Sequence, residues 1–290
     1  MRVAHFTSTR GRAVFTAAYR SAIEDVATGY GTVRVHRFGS TPGAPLVLLP
    51  GRGGTAAMWR PNVAALAARR SVYALDLLGE PGMSVQAVPL RDTADQVRWL
   101  RETLDALDLG AVHLVGASIG GWLALTTARH SPAGIRSVTL LDPAQTLARI
   151  PLPTVLRSLG ALPVAPAWMR RRFLASLSGA APAGDTPIER VIAAGMRHHV
   201  SALPAPAYPT DDDLRAITVP VLALLGGRSV ILDAERARQR ATHLLTDVRA
   251  EVWPQASHAI SGDCADAVNA RILEFVSTVE HDGVSARGRT

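Results

Sequence analysis

From residue 31 onward, short runs rich in β-branched residues and leucine alternate with segments whose apolar positions recur every three or four residues. The runs Thr32 to Phe38, Leu46 to Leu49, Val72 to Leu75 and Val112 to Val115 predict strands. The segments Trp59 to Arg70 and Thr93 to Leu107 predict helices, with Asp92 placed to cap the second. Such alternation specifies an α/β fold, a mostly parallel sheet flanked by helices on both faces. The first two runs are expected to pair as an antiparallel edge.

A fifth run, Ser137 to Leu141, ends at Asp142-Pro143, and the alternation then stops for about seventy residues. From Ala144 to Asp213 short helical patterns are separated by Pro151, Pro153, Pro163, Pro166, Pro182, Pro187, Pro204, Pro206 and Pro209. A structureless loop of that length is uncommon inside a compact domain, so residues 144–213 are expected to form an inserted helical lid. The pattern resumes with a strand at Val219 to Leu225, a helix from Asp233 to Leu245, a strand at Val248 to Trp253 and a helix from Asp263 to Val279. Residues 1–143 and 214–280 are therefore read as one core, and residues 281–290 as a flexible tail.

Composition narrows the class. With 48% hydrophobic and 19% charged residues in 290, the chain can bury a sizeable core. The net charge of +7 comes from arginine alone, since no lysine occurs among the 31 basic residues. The densest basic run, Arg170-Arg171-Arg172, is short and sits beside Trp168 and Met169, which suits a solvated helix face and not a nucleic-acid surface. Cys264 is the only cysteine, so no intrachain disulfide forms. No apolar run is long enough for a membrane span or a signal peptide, and cytoplasmic location is the expectation. No His, Asp and Glu cluster has metal-ligand spacing, and no cofactor is expected.

The chemistry concentrates at Gly116-Ala117-Ser118-Ile119-Gly120-Gly121, which follows a buried strand and opens a helix. A serine between small residues at a sharp strand-to-helix turn is the arrangement of a nucleophile elbow, because side chains at the neighbouring positions would collide with the tight backbone. The helix beginning there favours negative charge developing at its N-terminus. Leu46 to Leu49 runs into Pro50-Gly51-Arg52-Gly53-Gly54, a turn open enough to offer the Arg52 amide beside that of Ile119 as oxyanion donors. The Arg52 side chain could also face the pocket and prefer a substrate carboxylate.

A base is expected just after the last strand, where His258 stands; His113, His198, His199, His243 and His281 occupy a core strand, the lid, a helix and the tail. The acid is expected after the strand ending at Leu225, yet that loop reads Gly226-Gly227-Arg228-Ser229, with serine at the acid's position. Asp142, at the end of the neighbouring strand, is the first candidate replacement. Asp233 is the second, although capping the following helix is its simplest job, and a site with no carboxylate stays open.

Beyond the elbow, Leu48-Leu49-Pro50-Gly51 with Met58-Trp59-Arg60-Pro61-Asn62, and Tyr73-Ala74-Leu75-Asp76 with Gly79-Glu80-Pro81-Gly82-Met83-Ser84, resemble the bacterial carboxylesterases of the α/β-hydrolase superfamily. Phe6-Thr7-Ser8, Gly11-Arg12-Ala13 and Ala18-Tyr19 resemble the N-terminal helix of one esterase subgroup. The resemblance implies Ser118 as nucleophile, His258 as base and the Arg52 and Ile119 amides as oxyanion donors. It departs at Pro50, where relatives usually carry histidine, and at Ser229, where they carry an acid; related hydrolases that place the acid after the earlier strand give Asp142 a precedent. A serine hydrolase of a carboxylic ester, thioester or lactone is the first expectation, acting on a small hydrophobic substrate gripped by lid residues such as Trp168 and Phe173. A non-hydrolytic cyclase or lyase, and a binder without turnover, remain alternatives.

Overall fold

The computed structural model describes residues 3–7, 22–162, 165–178 and 187–287. Its strands in chain order are β1 (His5–Phe6), β2 (Ala22–Thr28), β3 (Gly31–Phe38), β4 (Leu46–Leu49), β5 (Val72–Leu75), β6 (Val85–Gln86), β7 (Val112–Ala117), β8 (Ile135–Leu141), β9 (His199–Val200), β10 (Val221–Gly226) and β11 (Val248–Trp253). The main sheet runs β11-β10-β8-β7-β4-β5-β3-β2, and every pairing from β11 to β5 is parallel. The helices α1 (Arg60–Ala67), α2 (Thr93–Ala106), α3 (Ile119–His130), α4 (Leu152–Arg157), α5 (Ala167–Ser178), α6 (Pro187–His198), α7 (Asp211–Arg215), α8 (Ala234–Leu244), α9 (Ile260–Asp263) and α10 (Ala265–Arg287) complete the described elements.

The strand runs are continuous and apolar because both faces of the sheet are covered. All four residues of β4 and all six of β7 and β10 are buried. One core cluster gathers Trp99, Leu100, Trp122, Leu123 and Leu244 on one side of the sheet; the other gathers Trp59, Leu66, Ile272, Phe275 and Val276. Asp92 caps α2 as expected, accepting from the Asp95 amide at 2.9 Å.

Two expectations are corrected. The edge is not made by the run at Thr32 and the run at Leu46: β3 pairs antiparallel with β2 on one side and with β5 on the other, and β4 lies inside the sheet. Leucine on both faces of β4 requires cover from both sides, which an edge strand lacks, whereas β2 carries Glu24 and Asp25 and is mostly exposed. The last helix is assigned through Arg287, past the expected end at Val279; Glu280 receives both terminal nitrogens of Arg70 at 2.7 and 2.6 Å and pins it to the core. The N-terminal helix expected between Phe6 and Tyr19 falls largely outside the described residues; His5–Phe6 form the short β1, paired with β9.

Between β8 and β10 the chain leaves the sheet and forms α4 to α7 and β9. Its return segment is anchored by the Trp122 indole, which donates to the Ala207 carbonyl at 2.8 Å, and by the Arg129–Asp213 and Arg240–Asp211 ion pairs. Leu203 lies against Gly79, where a Cβ would come within 2.4 Å of its methyl carbon.

Candidate active site

Strand β7 delivers Ser118 at the carboxyl edge of the sheet with φ 52° and ψ −117°, a conformation costly for any residue with a Cβ. The surroundings hold it there. Its amide donates to the Leu141 carbonyl at 3.0 Å, and its own carbonyl accepts from the amides of Gly121, Trp122 and Ala144. The flanking glycines are obligatory: a Cβ on Gly116 would lie 2.3 Å from the Gly120 carbonyl oxygen, and one on Gly120 would lie 2.2 Å from that of Leu49.

Three chain segments converge on this serine. His258 lies in the turn after β11, where Ser257 bonds the Asp263 carboxylate and accepts from the Ala259 amide. Its Nε2 is 3.0 Å from Ser118 Oγ, and its Nδ1 is 2.5 Å from Asp142 Oδ2. Asp142 ends β8 in a left-handed conformation, φ 45°, and is fully buried. Its other oxygen accepts from the Gly226 amide at 2.9 Å, and Ser229 Oγ donates to Oδ2 at 2.6 Å. The carboxylate therefore has three donors, which offset the cost of burying it. Ser229, in the loop where the sequence leads one to expect an acid, instead donates to the carboxylate that ends the neighbouring strand. Asp233 is elsewhere, capping α8 through the Arg236 amide at 3.0 Å.

The remaining histidines are not at the site. His113 is fully buried in β7, with Nδ1 2.7 Å from Ser137 Oγ, and burial pushes its pKa down to about 4 despite the facing Glu280. His199 is likewise depressed to about 4 by burial.

Arg52 and Ile119 line one small cavity of about 20 Å³, together with Leu77, Glu80, Trp122 and Leu203. The amide of Ile119 opens α3, and among the described residues neither it nor that of Arg52 has a hydrogen-bond partner. The Arg52 side chain pairs with the buried Glu80, its Nε 3.3 Å from Oε1. Glu80 is a residue that sequence reasoning passed over: a lone glutamate between glycine and proline looks solvated, and only its 4% exposure marks it. Trp168 and Phe173 are not brought to Ser118. They line a separate cleft of about 460 Å³ with Leu156, Met169, Arg172 and Val230, and Trp168 is 61% exposed. Among the described residues no His, Cys, Asp and Glu grouping could hold a metal, and no helix is long and apolar enough to cross a membrane.

Comparison with known proteins agrees with this architecture. Carboxylesterase YbfK of Bacillus subtilis is 27% identical over 258 residues, spanning 87% of this chain and 86% of the relative. An uncharacterized carboxylesterase, nap, of the same organism is 28% identical over 256 residues, spanning 86% and 85%. Among solved structures, naproxen esterase from Bacillus subtilis superposes with a TM-score of 0.85 at 26% identity, covering 92% of this chain and 97% of that one. A meta-cleavage product hydrolase from Pseudomonas fluorescens, at 20% identity and a TM-score of 0.73, shares the fold. The model of the alpha/beta hydrolase family matches residues 46–271, more than half of the sequence, and the chain belongs to that family.

Proposed function

We propose that this protein is a serine hydrolase of carboxylic esters. Ser118 attacks the ester carbonyl, and His258 takes its proton at Nε2 and returns it to the leaving alcohol. Asp142 holds the Nδ1 proton and stabilises the imidazolium, while the amides of Ile119 and Arg52 receive the oxyanion. A water activated by His258 then cleaves the acyl-enzyme. The observation that carries this reading is the unbroken line from Ser118 Oγ through His258 to Asp142, at 3.0 and 2.5 Å.

The similarity to carboxylesterases over most of the chain supports hydrolysis in particular. The non-hydrolytic alternative drew its appeal from serine at position 229, and that appeal goes once Ser229 is a donor to a carboxylate already in place. The cavity beside Arg52 and Ile119, bordered by both proposed oxyanion donors, is the place for the acyl part of the substrate. The segment from Ala144 to Asp213, which brings Leu203, Pro204 and Pro206 to the cavity beside Arg52 and Ile119, serves as a lid.

Incubation with a fluorophosphonate followed by intact-mass and peptide spectra tests the assignment. One adduct, on Ser118, with parallel loss of p-nitrophenyl acetate hydrolysis, is expected. Full turnover in Ser118→Ala would end it.

A further inference from the structure

The loop that offers the Arg52 amide is held by two carboxylates that follow β5. Asp76, fully enclosed, accepts from the amide of Ala56 at 2.8 Å and of Met83 at 2.7 Å. Glu80, four residues on, faces the other half of the loop, with its Oε1 3.3 Å from Nε of Arg52 and the Gly53 amide near enough to favour its charged form. Around Arg52, the Gly51 amide donates to Met58 Sδ at 3.0 Å and that of Gly54 to the Gly51 carbonyl at 3.0 Å. Among the described residues the Arg52 amide makes no hydrogen bond, and its residue borders the cavity that Ile119 borders.

We propose that Glu80 is a positioning residue for the oxyanion loop: by holding the Arg52 side chain at 3.3 Å, its buried carboxyl fixes the turn that offers the Arg52 amide to the oxyanion. Pinning is needed because the turn is glycine on three sides, Gly51, Gly53 and Gly54, and Gly53 adopts φ 68°. Without a fixed partner such a turn samples many conformations, and a preorganised donor is effective only if it needs no rearrangement when charge develops. A carboxylate is costly to bury, and desolvation pushes the Glu80 pKa up while Arg52 opposes it.

This inference rests on Ser118 acting as the nucleophile. Two variants test it, with steady-state kinetics on p-nitrophenyl acetate and the rate of fluorophosphonate labelling. Glu80→Gln keeps the shape of the side chain but removes its charge. Arg52→Met keeps the stem and the backbone amide, and, with a side chain 58% exposed, it remains folded. Losing one oxyanion donor outright costs about 10²–10³ in kcat. A displaced donor should therefore lower kcat about 10- to 100-fold in Glu80→Gln and by less in Arg52→Met, with KM changed less than threefold in both. The double variant should be no slower than Glu80→Gln alone, since both act through one clamp. Unchanged kcat in either single variant, a rise in KM with kcat intact, or additive losses would overturn the proposal. Should Glu80→Gln fail to fold, Arg52→Met decides alone. Labelling that persists at Ser118 with normal kcat in both variants refutes only the role of Glu80; absence of labelling in the unaltered protein refutes the nucleophile itself.

Discussion

Replacing Asp142 by asparagine separates a relocated acid from a structural aspartate. In the native site Oδ1 accepts from the Gly226 amide, while Oδ2 receives both Ser229 Oγ and His258 Nδ1. The Gly226 amide can only donate, so the asparagine oxygen must stay on that side and its NH₂ must turn toward Ser229 and His258. Ser229 can rotate its hydroxyl and accept. His258 can avoid two opposed N–H groups only by becoming the tautomer protonated at Nε2, and an N–H facing Ser118 cannot take the serine's proton. The same tautomer error in a serine protease triad lowers kcat about 10⁴-fold, or about 5.5 kcal/mol of barrier. Turnover of p-nitrophenyl acetate by Asp142→Asn should fall by that order with KM little changed. The matched control is Asp233→Asn, which keeps an amide oxygen able to cap α8 and should retain kcat within twofold. A kcat for Asp142→Asn within tenfold of the native value, or a thousandfold loss in Asp233→Asn, would refute the assignment.

Further outcomes follow from the same geometry. Ser229→Ala removes one of three donors to a buried carboxylate, and kcat should drop about tenfold, in line with about 1.5–3 kcal/mol for a hydrogen bond to a charged group shared between stability and catalysis; equal kcat would show that the hydroxyl is idle. Gly120→Ala places a methyl 2.2 Å from the Leu49 carbonyl oxygen, so the soluble yield and the thermal midpoint should both collapse. His113 has a folded pKa of about 4 against 6.5 when unfolded, so the unfolded chain binds the extra proton and stability is lost as pH falls through that window. The loss from this group should reach about 2 kcal/mol at pH 5 relative to pH 7.5, read by urea midpoints, and His113→Gln should remove that part of the slope.

Much of this was legible in the sequence wherever a residue's environment is set by its immediate neighbours. The bounds of β4, β5 and β11 coincide with the predicted runs, and the elbow could be recognised because the small residues flanking Ser118 follow a buried strand and open a helix within one short stretch of sequence. Asp142 could be nominated because strand ends at one sheet edge lie close together. What escaped depends on non-local pairing. Nothing in Leu46 to Leu49 says which strands cover its two sides, and β2, with Ile23 exposed and two acids in succession, carries no core-facing alternation. The supporting donors Gly226 and Ser229 are named only by the register of β8 against β10, and the burial of Glu80 only by the return of Leu203 over its loop. Trp168 and Phe173 were assigned to the substrate on apolar character alone, which does not say which cavity a helix overlooks.

The long excursion between β8 and β10 begins and ends on strands that are hydrogen-bonded neighbours, with Val138 opposite Val221. The points of departure and return are thus fixed by the sheet, and the entropy of closing the intervening chain grows only slowly with its length. An insertion of another size or sequence could be exchanged at these two points while Asp142, Gly226 and His258 keep their places. The insertion can therefore vary in this chain without disturbing the register of the three adjacent strands that places Asp142, Gly226 and His258.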